Sequence, residues 1–286
     1  MSLAQPYQVL RPSGPYAALD RYRAWRPSVL AGRGGRLRMW YGGHDGSTGR
    51  VLSAEQRTQG SWARLGVSVE PGLAGASDAA TIDTPSVVRT PSGYLMAYVG
   101  SDGTEPRVHL ALSAEGERWV PAGPFPSPEG RAATSTPCLV HAGDDLWLYY
   151  VGPGAGGVPT VFAARSGGGT AWQDMGPVLE PAACEPSVAE PWVVGQDDDW
   201  LMLYVSRDEE GRSTIRVATS TDGRAWDRRE RPLDLGRRHH DAGRIGGPSA
   251  FGRRDGRLRI WYSAADEGDT AGGGRLWSVD VVGSLP

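Results

Sequence analysis

The feature that most restricts how this chain can fold is a short motif that recurs five times. Asp83-Thr84-Pro85-Ser86-Val87-Val88 reads as a buried strand, followed after a turn at Ser92-Gly93 by a second strand, Tyr94 to Gly100. Its first half returns as Arg26-Pro27-Ser28-Val29, Thr136-Pro137-Cys138-Leu139, Glu185-Pro186-Ser187-Val188 and Gly247-Pro248-Ser249-Ala250. Each copy precedes a tyrosine-bearing run: Met39-Trp40-Tyr41-Gly42, Leu148-Tyr149-Tyr150-Val151, Leu203-Tyr204-Val205-Ser206 and Ile260-Trp261-Tyr262-Ser263. The anchor prolines lie 58, 52, 49 and 62 residues apart. Self-similarity at such a period means an array of one supersecondary unit, none of which can bury its apolar face alone. Residues 1–286 are therefore expected to form a single domain.

Each of the first four units carries four strand patterns. In the first, Arg36 to Gly42 alternates apolar and polar residues, the period of a half-buried strand, and Gly49 to Ala54 and Trp62 to Val69 follow. The third strands of the next units are Arg107 to Leu112, Thr160 to Arg165 and Thr214 to Thr219. Each leads into a serine, a glycine-bearing turn and a tryptophan: Ser113/Trp119, Ser166/Trp172, Ser220/Trp226, with a longer loop between Ser53 and Trp62. The fifth unit has only three strands, Pro248 to Phe251, Leu258 to Ser263 and Arg275 to Val282. Tyr7 to Leu10 is an orphan strand pattern, and placing it in the last unit closes a ring and removes open sheet edges. The fold class is thus all-β, a five-bladed β-propeller closed by an N-terminal strand. An open solenoid leaves that orphan strand unexplained.

Glycine (41) and proline (22) suit many short strands with tight turns. Net charge is −3, and all 30 basic residues are arginine, with no basic stripe of the kind nucleic acid requires. No run approaches the ~18 apolar residues of a membrane span, and no charged head with an apolar run suggests a signal peptide. Cys138 and Cys184 are expected as free buried thiols in a reducing compartment, which points to the cytoplasm.

In a propeller the innermost strands line a central channel, so the anchor residues converge. One before each proline stand Arg26, Thr84, Thr136, Glu185 and Gly247; two before stand Trp25, Asp83, Ser135, Cys184 and Gly246. These positions share one backbone task yet differ in side chain, and buried charges are costly unless paired or used. Asp83 and Glu185 read either as an acid/base pair or as structure, with Asp83 capping a turn and Glu185 pairing with Arg26. Asp20, Asp78 and Asp241 lie seven residues before an anchor proline and read as loop braces. Around Asp241 stand His239, His240 and Arg244, expected to contact a polar ligand. Adjacent histidines on a strand point to opposite faces, so no metal is expected there, and no cofactor elsewhere.

Ser220-Thr221-Asp222-Gly223-Arg224-Ala225-Trp226 resembles the Asp-box of sialidases and other propellers, a turn brace remote from the active site. As a whole, the repeats resemble the five-bladed superfamily of arabinanases, β-xylosidases, invertases and levansucrases. In those families a first-blade Asp-Pro supplies the base or nucleophile, a second Asp tunes the acid, and a later Glu near a proline is the general acid. Glu185 is similar to that acid and Asp83 to the second aspartate, each displaced by one residue. Arg26 stands where the first aspartate would be. The resemblance implies a glycoside-hydrolase-like enzyme for a small carbohydrate or glycosylated molecule. Glu185 would be its general acid, Asp83 its base or tuner, and Arg26, Trp25, Tyr22, Thr84, Thr136 and Ser135 its substrate contacts. The missing aspartate leaves two alternatives, acid-assisted tailoring of a small molecule in the same pocket and non-catalytic binding of a sugar or anion.

Overall fold

The computed structural model describes residues 2–3, 6–10, 16–32, 35–58, 61–183, 185–196, 199–233, 244–252, 258–265 and 274–282. Cys184, His239, His240 and Asp241 lie outside the described residues, and of Arg244 only the backbone is described.

Five antiparallel sheets form the five blades of a propeller. Blade one is Arg23–Ala31, Leu37–His44, Gly49–Thr58 and Ser61–Val69, in chain order from inner to outer strand. Blade two is Thr81–Thr90, Gly93–Ser101, Pro106–Ser113 and Val120–Pro124; blade three is Ser135–Ala142, Asp145–Pro153, Pro159–Ser166 and Gln173–Leu179. Blade four is Ala189–Gln196, Asp199–Arg207, Ser213–Ser220 and Asp227–Arg228. Blade five has Arg244–Gly252, Leu258–Ala265 and Arg275–Val282, and is completed from the N-terminus. Tyr7 pairs with Ser278 and Gln8 with Trp277, while Ser2 and Leu3 pair with Val282 and Val281. Val9 donates its N–H to the Leu276 carbonyl at 2.8 Å. The expected ring closure is therefore present.

The blades hold together through apolar faces and through polar contacts near the axis. The second-strand tyrosines Tyr41, Tyr98, Tyr150, Tyr204 and Tyr262 are fully buried. Tryptophans from the turns between third and fourth strands meet aromatic rings of a neighbouring blade edge-on, as Trp119 meets Trp40 at 6.0 Å and Trp226 meets Tyr149 at 6.1 Å. Those turns are braced as the Asp-box resemblance implies. Ser220 Oγ accepts the Gly223 N–H, and Asp222 accepts the Arg224 and Ala225 N–H groups.

Close to the axis, the residue after each of Pro27, Pro85, Pro137 and Pro191 reaches to the next blade. Ser28 accepts the Val87 N–H, Ser86 accepts the Leu139 N–H, and Cys138 Sγ accepts the Val193 N–H. Trp192 cannot accept, and instead its Nε1 donates to the Ala250 carbonyl. Cys138 is free, and burial pushes its thiol up to about 12. Ser86→Ala is expected to cost about 1–3 kcal/mol, because the buried Leu139 N–H loses its acceptor. Chemical denaturation measures this, and an unchanged midpoint would refute it.

Candidate functional site

Every inner strand carries a bulge at its anchor. In blade one the register steps from Trp25 opposite Gly42 to Ser28 opposite Trp40, so Arg26 and Pro27 together face Tyr41. The same step occurs at Thr84-Pro85, Thr136-Pro137, Glu190-Pro191 and Gly247-Pro248. A proline is tolerated there because the bulge releases it from the ladder. The first bulge residue is left-handed in every blade: φ is 50° at Arg26, 54° at Thr84, 49° at Thr136, 55° at Glu190 and 55° at Gly247. Such bulges ordinarily place glycine at this position. Glycine suits blade five because a Cβ on Gly247 would lie 2.6 Å from Arg26 Cγ. The other four blades hold side chains in a conformation that costs L-residues roughly 1–2 kcal/mol each.

This geometry corrects the fourth anchor, which is Pro191 and not Pro186. Glu185 lies outside the ring. Its side chain is 2% exposed, accepts from Tyr204 Oη at 2.8 Å and pairs with Arg228 at 3.1 Å and Arg216 at 3.2 Å. Asp20 receives Tyr41 Oη and Asp78 receives Tyr98 Oη, each at 2.8 Å, so Glu185 performs in blade four the bracing expected of those aspartates. A general acid must present its proton to the ligand, whereas this carboxylate is taken up by a buried tyrosine and two arginines. The signal that separates the two Glu-Pro pairs is spacing. With Pro191 the anchors lie 58, 52, 54 and 57 residues apart, and each precedes its buried tyrosine by 13 or 14 residues.

Arg26 sits at the centre of the anchor ring. Its Nη1 donates to Thr84 Oγ1 at 2.9 Å, its Nη2 to Glu190 Oε1 at 2.6 Å, and its N–H to Ser263 Oγ at 2.8 Å. Four blades meet through this one residue. Burial opposes its charge, but Glu190 and then Asp83 outweigh that, and its pKa stands above the ordinary guanidinium value. Glu190 is the reciprocal case. Burial opposes its ionisation, yet Arg26, the Gly247 N–H at 2.5 Å and Arg207 hold its carboxyl below the usual range. Glu190 is therefore ionised at rest.

Asp83 lies on the other side of Arg26. It accepts from Trp25 Nε1 at 2.5 Å, from the Thr84 N–H at 2.7 Å and from Arg23 at 3.3 Å. Gly42 leaves room for it, since a Cβ there would fall 1.8 Å from Asp83 Oδ1. The Arg23 guanidinium covers the Trp25 ring at 3.1 Å from its centroid, so that ring is stacked within the protein. Tyr22 is exposed and inclined toward His44, with ring centroids 5.4 Å apart. The structure thus brings Arg26, Thr84, Thr136 and Glu190 to the ring, with Asp83, Trp25 and Ser135 one residue further out.

At the level of the ring the axis encloses only about 20 Å³, room for about one water. A wider cleft of about 400 Å³ opens beside it, between blades three and four; its lining is mainly apolar, with Arg26, Ser135, Thr136, Ser187, Glu190 and Arg207 among its polar members. The Thr136 hydroxyl is buried and has no hydrogen-bond partner. Among the described residues no group of three or more His, Cys, Asp or Glu could hold a metal ion.

The fold defines the class, a five-bladed β-propeller, and the ring adds two charged anchor residues, Arg26 and Glu190. No protein-family model matches the sequence, and no curated protein matches it. Solved structures do match in shape. An endo-arabinase from Bacteroides thetaiotaomicron superposes with a TM-score of 0.74 at 15% identity, covering 99% of each polypeptide. An α-L-arabinofuranosidase from Lactobacillus brevis gives 0.71 at 11%, covering 92% of this protein and 93% of that one. A protein solved as a complex with RGII gives 0.77 at 17%, covering 98% and 93%. The protein thus has the five-bladed propeller fold of glycoside hydrolases.

Proposed function

We propose that this protein is glycoside-hydrolase-like and takes a small carbohydrate or glycosylated compound beside its ring of anchor bulges. Glu190 and Asp83 are its working carboxylates, and Arg26 lies between them. One observation carries the reading: four side chains are kept in left-handed bulges where glycine would be relaxed, and Arg26 ties two of the others together. Backbone strain of this kind concentrates at functional sites. The carbohydrate ligand is supported by the fold shared with the endo-arabinase, the α-L-arabinofuranosidase and the RGII complex.

Hydrolysis of a glycoside requires one carboxyl that gives a proton and a second that attacks or activates water. An ionised Glu190 suits the second task, as base or nucleophile. Asp83 is the second carboxylate beside Arg26, held by Trp25 Nε1, the Thr84 N–H and Arg23. The Arg26–Glu190 pair also favours a second reading, a non-catalytic carbohydrate-binding propeller, because the pair neutralises the carboxylate that would react. A thermal-shift and NMR screen of mono- and disaccharides, followed by turnover assays on aryl glycosides of every binder, tests both. A binder that is cleaved supports the enzyme, and one never cleaved supports the binding protein. A screen in which no carbohydrate binds would overturn the proposal.

A further inference from the structure

We propose that the cleft between blades three and four recognises a carboxylate-bearing sugar, a uronic acid, with Arg207 and Thr136 as its anion contacts beside Arg26. This rests on the carbohydrate reading above and assigns the ligand's class. Three observations support it. The cleft holds two guanidiniums, Arg26 and Arg207, against one carboxylate, Glu190, and so carries an excess positive charge. Glu190 is already engaged with Arg26 at 2.6 Å and with the Gly247 N–H, whereas Arg207 reaches it only at 3.8 Å, beyond hydrogen-bond length. Arg207 therefore keeps donors for an incoming oxyanion, and the planar guanidinium matches a carboxylate in two-point contact.

The third observation is Thr136. The residue is 4% exposed, and its buried hydroxyl has no partner in the protein. A buried polar atom without a partner is costly, and a rotation of the Thr136 side chain toward the cleft it lines would offer the hydroxyl to a ligand oxygen. Thr136 also holds a φ of 49°, a conformation that a β-branched residue adopts at a cost. The bulge itself requires neither the hydroxyl nor the branch, as Gly247 shows in blade five. At about 400 Å³ the cleft falls in the size range of small-molecule sites, roughly 300–1,000 Å³. Most of its lining is apolar, so its polar contacts concentrate at the two arginines with Ser135, Thr136 and Ser187 beside them, where a charged group of a sugar would seat.

The test is direct titration of the full-length protein by calorimetry or NMR. The probes are D-galacturonate and D-glucuronate, their neutral counterparts galactose and glucose, and inorganic phosphate and sulfate. At least one uronate should bind roughly ten- to a hundredfold more tightly than its neutral sugar, the range of a hydrogen bond to a charged group, and the preference should shrink as salt is added. Arg207→Ala should remove that preference. Its side chain is half-exposed, so the variant is expected to fold where Arg26→Ala, which breaks the ring, could fail. Thr136→Val keeps shape and should weaken uronate binding roughly three- to tenfold. Uronates that bind no better than neutral sugars, or a preference that survives Arg207→Ala, would overturn the inference while leaving the carbohydrate reading intact. Phosphate and sulfate binding where neither a uronate nor a neutral sugar binds would overturn both in favour of a plain anion site.

Discussion

Glu190→Gln is expected to lower turnover by roughly 10²–10⁴-fold on any glycoside the protein cleaves, the usual contribution of a positioned proton-transfer group. The same change should destabilise the fold. Glutamine keeps the shape and one acceptor oxygen but not the charge, so Arg26 loses the ionic part of the contact it makes at 2.6 Å. Breaking a buried ion pair from one side costs ~3–5 kcal/mol, and the lower end applies here because Arg26 retains Thr84 and the field of Asp83. The pH dependence follows from the lowered carboxyl. The pair's contribution is complete above the unfolded carboxylate value of about 4.3 and is lost as pH falls through the lower folded-state value. The parent should therefore lose this part of its stability in acid, and the variant should show a flatter acid limb. Glu185→Gln is the control. It should destabilise through Tyr204, Arg216 and Arg228 but leave ligand affinity unchanged. A Glu190→Gln protein that turns over like the parent, beside an inactive Glu185→Gln, would reverse the assignment. Denaturation curves from neutral to acid pH, run beside the kinetics, separate the two effects.

Removing residues 1–12 should cost about 3–6 kcal/mol and promote self-association. Val9 and Leu10 are each 3% exposed and sit in one core cluster with Met39, Tyr41, Trp261 and Leu276. Burying such side chains contributes roughly 1.5–3 kcal/mol apiece, before the ladder from Tyr7, Gln8 and Val9 is counted. The Arg275–Val282 strand would become an open sheet edge, a template for pairing with another molecule. Thermal melts and size-exclusion chromatography of the truncated protein measure both consequences. A truncated protein that melts with the parent and stays equally dispersed would show that closure contributes little.

Much of the architecture was legible along the chain because propeller blades are local. Inner-strand prolines, second-strand tyrosines and the Ser–Trp turns recur at near-constant spacing, and each pattern reports on strands that pair with their neighbours in sequence. The closing strand could be read from Tyr7 to Leu10 because a three-strand fifth unit leaves one partner missing. The brace role of Asp20 and Asp78 could be read from a fixed offset to the anchors, although the tyrosine each receives could not.

By itself the sequence determined the all-β repeat, the count of five blades and the convergence of Arg26, Thr84 and Thr136, since these follow from periodicity and strand pairing. It offered two Glu-Pro pairs five residues apart in blade four, and the near-constant offset from anchor proline to buried tyrosine favours Pro191. Only the tertiary structure decided where the two carboxylates point. The bulge that faces Tyr204 selects Pro191 as the anchor, which carries Glu190 to Arg26 and turns Glu185 back onto Tyr204. The physical reason is that the protonation and partners of a carboxylate depend on charges contributed by other blades. Arg26 is 164 residues from Glu190 along the sequence, and no spacing rule spans that separation.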